Sequence, residues 1–184
     1  MQIQEEILLL TVDRLDALKI PYYITGSVAV SVYGKPRFTH DVDVVITLLP
    51  VSLSSLVEAF QKDFYVSMEG LQDALNRHSM ANLIHHASGM KIDLWMYNEH
   101  SDFAQSQFKR RALTRVFGRD IYFISPEDLI LQKLLWHQET QSDRDWSDVA
   151  GIWEFMHDTL DKGYIVHWVH RLMLTQSFQK LSVT

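Results

Sequence analysis

The feature that most constrains the fold is a short alternating segment, DVDVVI, which begins at Asp41. Successive side chains of a β-strand point to opposite faces, so Val42, Val44 and Ile46 would share one face while Asp41 and Asp43 share the other. The apolar face needs a core to cover it. The two carboxylates repel each other on the opposite face, and that arrangement is costly unless a cation neutralises them. The segment therefore predicts a sheet that presents an acidic pair.

Composition predicts one globular domain with a small helical extension. The 184 residues are 47% hydrophobic and 22% charged, which is sufficient for a buried core. The net charge of -6 gives no broad basic surface for duplex nucleic acid, so a polyanion would have to be bound locally. The absence of cysteine excludes disulfides, thiolate metal ligands and a cysteine nucleophile.

The beginning of the chain does not resemble a targeting segment. Its first twenty residues contain four acidic side chains, Glu5, Glu6, Asp13 and Asp16, and lack the basic start and cleavage site of a signal peptide. No apolar run reaches membrane-spanning length. We expect a cytoplasmic protein without a membrane partner.

A strand, a glycine turn and a helix are predicted before the acidic segment. An amphipathic helix over roughly residues 2–19 ends before Pro21, and PYYIT follows as a short strand. The pair Gly26-Ser27 then leads into VAVSVYG, a predicted helix that closes at Gly34. A glycine at this position lets backbone amides approach phosphate oxygens, although Ser27 would also serve as an ordinary helix cap.

The middle of the chain reads as hairpins and helices, and its end as helices. Three helices are predicted in VSLSSLVEAFQKDF, LQDALNR and FAQSQFKRRAL. Two hairpins are predicted as well: one is formed by SMANLIHHA and MKIDLWMY, and the other by TRVFGRDIYFI around Gly118. Ser125 and Pro126 mark the start of a helix in SPEDLILQKLLWHQ. Two further helices are expected in SDRDWSDVAGIWEFMHD and YIVHWVHRLMLTQSF. We divide the chain into a core with its N-terminal helix, residues 1–125, and a helical region, residues 126–184.

A third acid, Asp93, lies between Ile92 and Leu94 in a predicted strand, where the β pattern requires only apolar or neutral residues. If this strand lies beside the first, three carboxylates meet. Three acids can hold two divalent ions about 4 Å apart, as phosphoryl and nucleotidyl transfer require, and oxygen ligands suit Mg²⁺ or Mn²⁺. Otherwise Asp93 is an exposed acid on an edge strand.

The ordered motifs resemble the DNA polymerase beta-like nucleotidyltransferase superfamily: a Gly-Ser after a strand, an Asp-hydrophobic-Asp strand, then a strand with a lone acid. The matching residues are Gly26, Ser27, Asp41, Asp43 and Asp93. The resemblance implies a nucleotidyltransferase core of the α/β (α+β) class, with a mixed, mostly antiparallel sheet flanked by helices and a C-terminal helical region. It also implies metal-bound Asp41 and Asp43, with Asp93 as metal ligand and base.

Within this superfamily, further motifs of the chain resemble those of bacterial abortive-infection and toxin-type members and their uncharacterised relatives. In these an Arg-x-Thr-x segment precedes the acidic pair, a Pro-Glu-Asp-Leu helix carries a lysine, and an Arg-Asp-x-x-Asp helix follows. The corresponding residues are Arg37, Thr39, Lys133, Asp145 and Asp148. By this resemblance Lys133 is catalytic and neutralises phosphates, and the other four contribute to nucleotide binding.

Each of these residues also has an ordinary interpretation. Asp41 and Asp43 would be solvated acids at a strand edge, Lys133 a surface lysine, and Asp148 the partner of Arg144 in an i,i+4 surface pair. Arg37 would be a loop cation. Histidine pairs such as His85-His86 and His167-x-x-His170 do not have the ligand spacing of a zinc site.

The function predicted is metal-dependent transfer of an NMP from an NTP, such as ATP, to an acceptor hydroxyl with release of pyrophosphate. The acceptor is open among a small molecule, a protein and a tRNA end. The basic run Lys109-Arg110-Arg111 is a local patch that would contact any of these three. A partner protein or a homodimer is also open. The alternative is a nucleotide-binding regulatory or toxin–antitoxin module without turnover.

Overall fold

The computed structural model describes residues 3–37 and 39–182, and these form a mixed α/β fold. The strands are β1 (Tyr22–Thr25), β2 (Asp41–Ile46), β3 (Phe64–Tyr65), β4 (Met80–His85), β5 (Lys91–Met96), β6 (Ala112–Val116) and β7 (Arg119–Phe123). The helices are α1 (Ile3–Ala17), α2 (Gly26–Tyr33), α3 (Leu53–Phe60), α4 (Met68–Arg77), α5 (Asp102–Arg110), α6 (Pro126–Thr140), α7 (Asp143–Met156), α8 (Lys162–Arg171) and α9 (Thr175–Ser182).

The strands form one seven-stranded sheet in the order β3-β4-β5-β2-β1-β7-β6. Among the described strands, β2 pairs with β5 and β1 with β7 in parallel, and the other four pairs are antiparallel. The predicted fold class, a mixed and mostly antiparallel sheet with helices, is confirmed. β2 lies in the middle of the sheet, so the acidic segment has a strand on each side.

The core explains why β2 and β5 occupy the centre. Val42, Val44, Ile92 and Leu94 are fully buried on one face, as the alternation predicts. Val45 is also buried, so the second half of β2 is covered on both faces. A strand that is buried on both faces at one end and carries acids at the other is held in one register, because a slip by one residue would bury the acids.

The described residues divide into two compact units. The first consists of residues 3–28 and 39–123 and contains the whole sheet. The second consists of residues 29–37 and 124–182, in which α6 packs against α7, α8 and α9. Across residues 3–37 and 39–182, no helix combines the length and the apolar composition that a membrane span requires.

Several local predictions are confirmed and others need correction. The two predicted hairpins form as β4–β5 and β6–β7, and the Ser125 hydroxyl caps α6 by accepting a hydrogen bond from the Asp128 amide. The two-residue strand β3 was not predicted. The last predicted helix is in fact two, α8 and α9, because Met173 adopts a left-handed φ of 57° that ends the first of them.

A cation stacked on two aromatic rings joins α1 to the segment around β3. The Arg14 guanidinium lies 5.1 Å from the ring centroid of Phe60 and 5.5 Å from that of Phe64. It also donates a hydrogen bond to the Asp63 carboxylate, which holds the pKa of Asp63 below its usual range. The interaction combines cation–π attraction with an ion pair.

We expect Arg14→Ala to lower the free energy of unfolding by about 1–2 kcal/mol, because it removes both ring contacts. Arg77→Ala is the matched control: its exposed pair with Asp73 should contribute about 0.5 kcal/mol or less. Urea unfolding measures both. Equal losses in the two variants would contradict the prediction.

The contribution of Asp63 to the free energy of unfolding depends on pH, and the direction of the change follows from its pKa. Because the folded-state pKa of Asp63 is lowered, its stabilising effect is present above the pKa of the unfolded chain and is lost as the pH falls through the folded pKa. The stability difference between wild type and Asp63→Asn should therefore shrink below about pH 4.

Candidate active site

Two aspartates face each other across the central pair of strands. β2 and β5 run parallel, and their register places Asp43 opposite Asp93 and Asp41 opposite Lys91. Side chains in register on neighbouring strands share a face of the sheet. The strand of Asp93 thus lies directly beside that of the acidic pair, and the three carboxylates are on the same face because the apolar residues between them fill the other.

Each carboxylate accepts a hydrogen bond from a neighbouring side chain. The Thr39 hydroxyl donates to Asp41. Trp95 Nε1 donates to Asp43 Oδ1 over 3.2 Å, and Asn82 Nδ2 donates to Asp93 Oδ1 over 2.5 Å. These donors orient the carboxylates.

Sequence reasoning missed Asn82 and Trp95. Trp95 lies two residues after Asp93 on the same strand, so the alternation that identified the acids also placed this indole on their face. Asn82 is directly opposite Asp93 in the antiparallel β4–β5 pair, and only the strand register shows this. Trp95 therefore had a signal in the sequence, whereas Asn82 had none.

Burial raises the pKa of Asp93, and the negative charge of Asp41 raises it further. The Asn82 hydrogen bond and the Lys91 charge act in the opposite direction without cancelling the effect. The carboxyl group is therefore in an environment that disfavours its negative charge. A bound cation would reverse this balance.

A glycine provides the space that Asp43 occupies. Gly26 begins α2 with a left-handed φ of 61°, and a β-carbon there would lie 1.9 Å from Asp43 Oδ2 and 2.6 Å from its Cγ. The Asp43 carboxylate thus lies against the first residue of the helix, which only glycine permits. Ser27 follows and is buried. Backbone amides at a helix start attract anions, and this corner of the first unit places such a helix start beside the acidic side chains.

The donor set fits hard divalent cations. Asp41, Asp43 and Asp93 supply carboxylate oxygens only, the ligands that Mg²⁺ and Mn²⁺ prefer. No set of one oxygen from each of these three aspartates lies within 4.8 Å of one another. A single ion bound by all three carboxylates would therefore require these side chains to move closer together.

The second unit contains its own charged cluster. Lys133 is buried, with 4% of its surface exposed, and its Nζ lies 2.8 Å from Asp145 Oδ1 and 3.0 Å from Asp148 Oδ2. Arg37 Nε and Nη2 each donate to Asp148 over 3.1 Å, a bidentate pair. The structure thus brings together four of the residues predicted to contribute to the site.

The surface interpretations of this cluster are wrong. Lys133 is not a surface lysine, and Asp148, 6% exposed, pairs with Lys133 and Arg37 and is not half of an exposed pair with Arg144. Arg37 is likewise not a free loop cation.

We expect Lys133→Met to lower the free energy of unfolding by about 3 kcal/mol, because two carboxylates lose their shared ammonium in a buried setting. Adding Asp145→Asn should restore part of the loss, since it removes the charge left unpaired. Lys35→Met is the matched control, because its pair with Glu154 is exposed. Denaturant titrations of the four proteins test this, and a double variant less stable than Lys133→Met would contradict it.

Several solved structures share the fold. An antigenic nucleotidyltransferase-like protein from Paracoccidioides brasiliensis has 20% sequence identity and a TM-score of 0.55, covering 90% of this chain and 87% of that chain. ANT(2'')-Ia in complex with adenylyl-2''-tobramycin has 10% identity and a TM-score of 0.58, covering 96% and 99%. The lincosamide antibiotic adenylyltransferase LnuA, lincomycin-bound, has 17% identity and a TM-score of 0.54, covering 80% and 95%. At these identities the likeness concerns the fold.

No curated protein matches the chain significantly, but a comparison with protein families identifies the family. The profile of a family described as "Nucleotidyltransferase of unknown function (DUF6036)" matches residues 1–160, which include the acidic strands and the Lys133 cluster. The superfamily inferred from the motifs is confirmed: the chain belongs to this family of nucleotidyltransferases.

Proposed function

We propose that the protein transfers a nucleoside monophosphate from an NTP to an acceptor hydroxyl, and that Asp41, Asp43 and Asp93 hold the divalent metal ions on which transfer depends. The observation that carries the proposal is the parallel register of β2 and β5, which sets Asp43 opposite Asp93 and next to the glycine that begins α2. Acidic ligands for cations and a helix end for phosphates then occur together on one unit.

In the proposed reaction the acceptor oxygen forms a bond to the α-phosphorus of the NTP. The bond between that phosphorus and the oxygen bridging to the β-phosphate breaks, and pyrophosphate leaves with the electron pair. The hydroxyl proton passes to a base. Bound Mg²⁺ would neutralise phosphate charge and lower the pKa of the attacking hydroxyl.

The residues of this chain have distinct proposed roles. Asp93 accepts the hydroxyl proton, because it lies opposite Asp43 on the face of the sheet where the ions and the acceptor would meet. The amides of Gly26 and Ser27 at the start of α2 bind the triphosphate. Asn82 and Trp95 keep Asp93 and Asp43 in one orientation, so that little reorganisation accompanies binding.

Arg37, Lys133, Asp145 and Asp148 retain the nucleotide role that the family resemblance implied. Support comes from burial: a lysine and an arginine held by shared carboxylates are restricted to one geometry, which a phosphate-binding cation requires. Thr39 acts through Asp41, to which its hydroxyl donates, and its predicted role becomes that of a positioning residue.

Small hydroxylated molecules are the first acceptors to test. Two of the structures with this fold are described as an adenylyltransferase of a lincosamide antibiotic and as a complex with adenylyl-2''-tobramycin. A protein hydroxyl and a tRNA end complete the acceptor classes. The toxin–antitoxin module predicted as the alternative would bind nucleotide without transfer to any of these acceptors.

The test uses NTPs labelled on the α-phosphate and, in parallel, on the γ-phosphate. Purified protein and Mg²⁺ are incubated with each acceptor class: a metabolite extract with aminoglycosides and lincosamides, tRNA, and a lysate protein fraction. We expect label from the α-phosphate alone to reach an acceptor. Asp43→Asn and Asp93→Asn should reduce transfer roughly a hundredfold to a thousandfold.

Asp73→Asn is the control, because this exposed acid on α4 should leave transfer unchanged. Transfer of the γ-phosphate would indicate a kinase and overturn the proposal. Thermal stabilisation by NTP with Mg²⁺ but no transfer to any class would identify the binding module without turnover instead.

We expect Gly26→Ala to reduce transfer at least as much as Asp43→Asn. The new β-carbon would displace the Asp43 carboxylate, since the two would be 1.9 Å apart. The positive φ adds about 1–2 kcal/mol of backbone strain.

Gly118→Ala separates the two effects. Gly118 has a φ of 77° and open space around it, so an alanine there brings similar strain without a clash. Gly118→Ala should lose only the stability that the backbone strain costs and should retain transfer, whereas Gly26→Ala should lose at least as much stability and should also lose transfer. Full activity of Gly26→Ala would show that Asp43 does not need its present position.

A further inference from the structure

A second group of metal-ligating side chains lies away from the aspartates on the first unit. One ligand atom from each of His78, Glu99 and His100 lies within 4.8 Å of the other two, and no other such group of three or more occurs among residues 3–37 and 39–182. No local sequence pattern indicates this group, because His78 is separated from the other two residues by an entire hairpin.

The chemistry of this group differs from that of the aspartates. Two imidazoles and one carboxylate form a mixed nitrogen and oxygen set, which suits Zn²⁺ and similar transition ions and not Mg²⁺. Three protein ligands leave the fourth tetrahedral position for water. Glu99 Oε2 is 3.8 Å from His78 Nδ1 and Glu99 Oε1 is 3.9 Å from His100 Nε2, so one carboxylate lies between both rings.

The backbone holds both segments that carry the ligands. His78 ends α4 with a φ of 47°, and the next residue, Ser79, accepts a hydrogen bond from the Met96 amide over 3.0 Å. Glu99 and His100 follow β5 in a loop whose backbone is fixed by Asn98 and Gln105: Asn98 Oδ1 accepts from the His100 amide, and Gln105 Nε2 donates to the Glu99 carbonyl. The ligands are therefore brought together by adjacent strands and not by the side chains alone.

One ring already has the partner expected of a metal-bound histidine. His78 Nδ1, the nitrogen 3.8 Å from Glu99, also lies 3.2 Å from the Tyr97 carbonyl oxygen; when Nδ1 donates to that oxygen, Nε2 is the nitrogen left to bind an ion. The rings of His78 and His100 are close to perpendicular, at 85°, with centroids 5.7 Å apart. They therefore do not stack in a way that would block access to their nitrogens.

We propose that His78, Glu99 and His100 form a zinc site, distinct from the proposed Mg²⁺ site, that fastens the end of α4 to the loop before α5. Zinc bound there stabilises the folded state by mass action and takes no part in the transfer reaction.

The test uses full-length protein without a polyhistidine tag, stripped with a chelator and titrated with Co²⁺. We expect one equivalent to produce the strong visible absorption of four-coordinate Co²⁺, and Zn²⁺ to displace it and raise the melting temperature. His100→Gln, at an exposed position, and His78→Asn, which tolerates the left-handed backbone, should each weaken binding about tenfold or more.

His86→Gln, an exposed histidine on the same unit, is the matched control and should leave the absorption unchanged. Asp43→Asn should also leave it unchanged while abolishing transfer, and His100→Gln should retain transfer, so failure of this proposal and failure of the proposed reaction are distinguishable. Absence of the absorption, its survival in His100→Gln, or its loss in Asp43→Asn would each overturn the zinc site.

Discussion

The parallel pairing of β2 with β5 is the constraint on which the site depends. It forces Asp43 and Asp93 onto neighbouring positions of one face, where their charges repel. What opposes that repulsion is the other face, where Val44 and Leu94 are fully buried and fix the register. The hydrophobic core thus supplies the energy that keeps the acids adjacent, and a bound cation would convert the repulsion into attraction.

The fold and the acidic residues could be predicted because both depend on local patterns. Alternation identified the strands of Asp41 and Asp93, and the Ser125 cap identified a helix start. Partners that depend on register or on distant contacts, such as Asn82, had no local signal. The same reason explains the corrections: nothing near Lys133 in the sequence shows that Arg37 approaches Asp148 and that the cluster is buried.

Two kinds of donor set on one unit would allow two kinds of metal to be bound without competition. Asp41 and its neighbours offer oxygen alone, whereas His78 and His100 offer nitrogen beside one carboxylate. Zinc prefers the second set and magnesium the first. An ion that stabilises the fold and an ion that serves the reaction would therefore be selected by ligand chemistry and not by concentration alone.

The contact between Gly26 and Asp43 also restricts how this sequence can diverge. The space beside the glycine is filled by the carboxylate, so a side chain at Gly26 requires that Asp43 be lost or moved. Replacement of Asp43 by a small residue would remove that restriction and leave only the cost of the positive φ. Within the family, the two positions should therefore change together, and a relative with a larger residue at the glycine position has given up this arrangement of the metal site.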